Sequence, residues 1–85
     1  MPLKKVILDV LKTIRGTSLV ELAEMITRLE GVSRVSIRVA EVDVETVTLN
    51  VTIEGESIDF TEVREIIEKA GGVIHSVDHV VAERQ

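Results

Sequence analysis

Three carboxylates alternate in Glu41-Val42-Asp43-Val44-Glu45. On a strand, that spacing sends all three to one side, about 6.5–7 Å apart. Like charges so placed repel, and a hard cation such as Ca2+ or Mg2+ relieves the repulsion by taking carboxylate oxygens as ligands. A plainer use exists: acidic side chains keep an edge strand soluble and deter stray pairing. The row lacks the fixed ligand order of a calcium loop. Solubilisation is therefore the simpler account, and Glu41, Asp43 and Glu45 are the candidate metal ligands set against it.

Asp9 and Asn50 form a second constellation, each polar in the middle of an apolar strand pattern. With Thr48, Thr52 and Ser76 or Asp78 nearby they could hold a polar ligand or an ion. The alternative is a solvated sheet face or a face that meets another subunit, because ligand sites are normally concave and a bare sheet is not. A third constellation is Thr13-Ile14-Arg15-Gly16-Thr17-Ser18. Free amides at a helix start, with Arg15 beside them and Gly16 to let the backbone approach, suit an anion. A turn glycine and a capping serine explain the same residues without a ligand. His75 and His79 are about 13 Å apart along a strand, too far to share one metal. No Ser-His-Asp arrangement, paired acid and base or nucleophile elbow is readable, so a non-enzymatic role is favoured over an enzymatic one.

The elements that would position these residues come from a pattern written twice. Ser18-Leu19-Val20-Glu21 returns in type as Asp59-Phe60-Thr61-Glu62, an offset of 41 residues that also maps Val6, Leu8 and Val10 onto Val47, Leu49 and Val51, Asp9 onto Asn50, and Gly31 onto Gly72. Residues 4–12 alternate as a strand that is apolar on both sides, the mark of a central strand, and residues 12–17 read as a loop. Ser18 with Glu21 is a capping box, and Leu19, Leu22, Ala23, Ile26 and Leu29 make the buried stripe of a first helix. Gly31 stands where a left-handed terminator is wanted.

Val35, Ile37 and Val39 open a second strand. Its apolar parity then slips to Val42 and Val44, which predicts a bulge or sharp twist near Ala40–Glu41. Thr46 to Glu54 alternates cleanly as a third strand, while the turn before it has neither Gly nor Asn. Asp59 and Glu62 start a second helix that Gly71-Gly72 ends. Residues 73–82 form a last strand whose facing is ambiguous. The order β-α-β-β-α-β predicts an α+β, ferredoxin-like split βαβ sandwich: a four-stranded antiparallel sheet with two helices on one face, strands one and three central. One domain over residues 1–85 is expected, with pseudo-repeat halves at about 1–44 and 45–85.

Composition narrows the function. A net charge of −5 with a single aromatic residue, Phe60, opposes nucleic-acid binding, which needs clustered cations and stacking rings. There is no cysteine, which removes disulfides and thiolate chemistry and fits a reducing compartment. The apolar runs are too short for a membrane span or signal segment, so a cytoplasmic protein is expected. The core must be aliphatic, and a domain this small buries a modest share of its surface.

The segments 6–12 (Val-Ile-Leu-Asp-Val-Leu-Lys), 18–21 (Ser-Leu-Val-Glu), 41–46 (Glu-Val-Asp-Val-Glu-Thr), 52–55 (Thr-Ile-Glu-Gly) and 71–78 (Gly-Gly-Val-Ile-His-Ser-Val-Asp) together resemble the archaeal Domain of Unknown Function 211 family. The resemblance runs from Val6 to about Ala82, with His79 standing where the family pattern has an acidic residue. It implies a small ferredoxin-like protein of uncharacterised role that tends to form oligomers, and it carries over no activity. The leading expectation is a non-enzymatic assembly or binding module that forms homo-oligomers through strand edges and the acidic hairpin end, with Ca2+ or Mg2+ as a conceivable ligand. The alternative is a small-molecule sensor of the type of ACT regulatory domains, taking an amino acid or anion at Arg15 and Gly16. An acylphosphatase-like hydrolase ranks last, because the glycine-rich phosphate loop is absent.

Overall fold

The alternation around Val6, Leu8 and Val10 builds the strand it predicts, and the apolar face runs one step further than expected. β1 spans Leu3–Thr13, so Lys12 and Thr13 belong to the strand rather than to the following loop. Lys12 shares the parity of Val6, Leu8 and Val10 and is 2% exposed. The remaining elements are α1 (Leu19–Thr27), β2 (Val32–Val42), β3 (Thr46–Gly55), α2 (Phe60–Lys69) and β4 (Gly72–Ala82). This computed structural model describes residues 2–84; Met1 and Gln85, the ends of the domain expected over 1–85, lie outside the described residues.

The sheet order is β2-β3-β1-β4, with every neighbouring pair antiparallel. This is the ferredoxin-like βαββαβ fold. β1 and β3 are central, in keeping with their buried residues Val6, Leu8, Val10, Leu49, Val51 and Ile53. α1 packs mainly over β2 and α2 over β4, closing the core with Leu22, Ile26, Val63 and Ile67. Each helix is only two to three turns, about 15 Å long. The strands are more than twice that length. The molecule measures 44 × 22 × 17 Å, and parts of the sheet extend past its helices.

The caps follow the predicted residues. Ser18 Oγ accepts from Glu21 N at 3.1 Å and Glu21 Oε1 accepts from Ser18 N, a complete capping box. Asp59 Oδ1 accepts from Glu62 N at the start of α2. The terminators differ from the repeat read in sequence. α2 ends at once on Gly71, whereas α1 ends at its C-cap Arg28 and adds a turn closed by Val32 N donating to Leu29 O. Gly31, with φ +90, is the left-handed residue of that turn. It corresponds to Gly71 rather than to Gly72.

The parity slip in β2 is a bulge. Val39 opposes Leu49 and Glu41 opposes Thr48, leaving Ala40 as the extra residue. Val42, opposite Val47, is thereby returned to the helix-covered side. The β2–β3 turn closes with Asp43 N donating to Thr46 O at 2.8 Å. None of the described non-glycine residues has positive φ, which matches a turn without Gly or Asn.

Candidate functional site

Opposed residues of an antiparallel ladder share a face, so the register lays out the side of the sheet that carries no helix. Arg38, Asn50, Asp9 and Ser76 form one row across all four strands, with Asp9 directly opposite Asn50 as the duplicated pattern required. On one side of it lies the row Ser36, Thr52, Ile7, His79. On the other lies the row Glu41, Thr48, Leu11, Val73. A band of hydrogen-bonding groups thus crosses a surface with apolar residues at either side.

The facing of β4 could not be read by parity because β4 does not alternate. Between residues 73 and 80 its partners on the helix side are Ile74, Val77 and Val80, and on the free side Val73, Ser76 and His79. Both sets step by three. Two register shifts, between Asp9 and Val10 and between Ile7 and Leu8, leave His75 and Asp78 as extra residues. Ser76 Oγ donates to Asp78 Oδ1 at 2.8 Å beside the second shift. Shared odd numbering therefore does not by itself put His75 and His79 on one face. The first shift brings His75 to the rim of a shallow depression of about 370 Å³ lined by Asp9, Leu11, Thr48, Val73 and Ile74. Asn50, although it opposes Asp9, is not among its walls.

The predicted acidic row takes a different form. Only Glu41 lies on β2; Asp43 and Glu45 are in the hairpin turn. The Asp43 carboxylate accepts from Val44 N at 2.7 Å, holding that turn. Among the described residues no three His, Cys, Asp or Glu side chains are grouped to hold a metal ion. One chain therefore does not gather Glu41, Asp43 and Glu45 into a ligand set.

Glu45 instead meets a residue from the third constellation. Ile14 N donates to Glu45 O at 2.9 Å, which ties the β1–α1 loop to the hairpin turn. Thr13, Ile14, Arg15, Val44 and Glu45 line a depression of about 630 Å³ between them. Gly16, with φ +93, makes the turn that follows and is not part of this wall. The loop is held from below by Lys12, whose Nζ donates to Thr13 O at 2.9 Å and to Arg15 O at 3.5 Å. Thr13 Oγ1 also donates to Arg15 O, at 3.1 Å. Neither the burial of Lys12 nor the placing of Arg15 and Glu45 around one depression was expected from sequence. Parity with Val10 was the available signal for Lys12; for Glu45 there was none, because the pairing depends on where the turn falls.

These arrangements name no reaction, and kinship agrees. The family model for Domain of Unknown Function 211, described as "Uncharacterized ArCR", matches residues 4–85. The chain belongs to the Domain of Unknown Function 211 family. An archaeal relative from Methanocaldococcus jannaschii, named "Uncharacterized protein MJ0319", is 42% identical over 83 residues, covering 98% of this chain and 84% of the relative. This family member has no described helix long and apolar enough to cross a membrane.

Proposed function

We propose that this chain is a non-enzymatic assembly module that associates with copies of itself through the end of the sheet carrying the β2–β3 hairpin. The observation behind this reading is where the exposed large apolar residues fall. Of the nine among the described residues, seven sit at that end: Leu11, Ile14, Val39, Val42, Val44 and Val73 with Val20 of α1's first turn. Val44 is 88% exposed and Val42 66%. Scattered apolar residues need no explanation, but a concentration on one end of a small domain marks an interaction surface. A second copy fits because both sheet edges, β2 and β4, end in unpaired backbone that another strand can meet. Burying a valine contributes roughly 1.5 kcal/mol, so a few valines per copy are enough to matter.

Ca2+ or Mg2+ enters this reading only between copies. Carboxylates of Glu41, Asp43 and Glu45 from adjoining chains would supply the oxygen ligands that a single chain does not assemble. The cysteine-free composition favours a cytoplasmic setting for such a module. Sedimentation velocity at micromolar concentration, with and without chelator, tests both parts. Species heavier than 9.4 kDa are expected. A single 9.4 kDa species in every condition defeats the assembly reading, and an unchanged mass in chelator removes the cation from it.

A second reading rests on the depression beside Arg15. In it the β1–α1 loop is a binding site for a small anionic or zwitterionic molecule, in the manner of a sensor domain of ACT type.

A further inference from the structure

We infer that the depression between the β1–α1 loop and the hairpin turn binds an α-amino acid with an aliphatic side chain, held between Arg15 and Glu45. The inference rests on the second reading above and not on self-association. It gives that site a ligand class and a second charged wall.

Opposite charges line this depression without being joined to each other. The ion pairs of the described residues are Lys4–Glu56 and Arg34–Glu54. Arg15 and Glu45 thus flank the same space unpaired. A guanidinium offers a planar fork of donors that matches a carboxylate, and a carboxylate offers acceptors to an ammonium group. A molecule carrying both groups a single carbon apart satisfies both walls together. The rest of the lining sets the side chain. Ile14 is 48% exposed and Val44 88%, so both present apolar surface that an aliphatic side chain would cover. The volume, about 630 Å³, lies within the usual range for small-molecule sites.

The loop is also better anchored than a plain connection requires. Lys12 is the one buried charged residue among the described residues, and both its acceptors are carbonyls of this loop. An ammonium buried without a carboxylate partner is unfavourable unless its hydrogen bonds are good. Here those bonds, together with Ile14 N to Glu45 O and Thr13 N to Gly71 O, fix the backbone from which Arg15 and Glu45 project. A site whose backbone is ordered beforehand loses less entropy on binding.

The test is a titration of the full chain followed by amide chemical shifts, with L-leucine, 4-methylpentanoate, which is leucine without its amine, and isopentylamine, which is leucine without its carboxylate. Leucine is expected to shift residues 13–15 and 44–45 saturably, and each analogue to bind at least about tenfold more weakly, the loss of one charge-assisted contact. Arg15→Gln should weaken leucine by a similar factor and leave isopentylamine unchanged. Glu45→Gln should weaken leucine and leave 4-methylpentanoate unchanged. Equal binding of leucine and 4-methylpentanoate overturns the zwitterion site in favour of a simple anion site. No saturable shift at ~10 mM leucine overturns it outright. Sedimentation of the same samples separates the two readings: leucine binding by a 9.4 kDa species sustains the site while defeating assembly.

Discussion

Two glycines decide whether the loop after β3 can meet the turn after α1. Gly31 O accepts from both Glu56 N and Ser57 N, at 2.9 and 3.2 Å, and these bonds bring two backbones together with no room for a side chain. A Cβ on Gly31 would lie 2.0 Å from Ser57 O, and one on Gly55 would lie 2.0 Å from Gly31 O. Either contact forces backbone to move. Gly31→Ala and Gly55→Ala should each lose about 3 kcal/mol or more, since the backbone-to-backbone conflict also breaks the hydrogen bonds to Gly31 O. Gly16 is the control: its φ is also positive, but a Cβ there would meet Ala70 O at an ordinary 3.8 Å. Gly16→Ala should cost only the left-handed strain, about 1–2 kcal/mol. Urea denaturation of the three variants measures this order. Equal losses in Gly31→Ala and Gly16→Ala, the two positions with positive φ, would show that backbone conformation, and not close approach, controls Gly31.

At the scale of elements, the helix starts carry measurable weight. Ser18→Ala removes one half of a capping box and should lower stability by about 1 kcal/mol. Asp59→Ala should do the same for α2 through its bond to Glu62 N. Amide exchange in the first turns of α1 and α2 should rise in the respective variant alone; a rise spread over the whole sheet would mean the caps act globally. Both starts were legible in sequence because capping chemistry is local, three residues long and repeated at a fixed offset. The β2 bulge was legible for a similar reason: a bulge reverses parity, and Val39 and Val42 recorded the reversal. β4 was not legible, because two insertions convert its period from two to three, and valines then fall on both parities. Lys12 was misread for a different reason. A charged residue followed by a polar run resembles the end of a strand, while its burial depends on loop carbonyls that only the folded chain supplies.

For the whole molecule, the duplicated pattern explains the architecture better than it explains the surface. The repeat places equivalent apolar residues on both central strands and equivalent caps on both helices, and the antiparallel four-stranded sheet follows from it. The candidate sites do not obey the repeat. Arg15 shares a depression with Glu45, and Asp9 shares one with His75, although no offset in the sequence relates either pair. Such meetings depend on turn geometry and on bulges, which break the very periodicity used to read the chain. The unequal spread of exposed apolar residues is likewise a property of the assembled sheet: helices of two to three turns shield its middle and leave its hairpin end bare.

That bare end is the centre of the account, and light scattering on the eluting peak of a sizing column measures its consequence most directly. The native chain should elute with a mass that is a multiple of 9.4 kDa. The double substitution Val42→Asp and Val44→Asp, at positions already exposed in the single chain, should elute at 9.4 kDa with its thermal unfolding intact. If the double variant keeps the native mass, or if the native chain is itself a monomer, the hairpin end is not where this protein meets its copies.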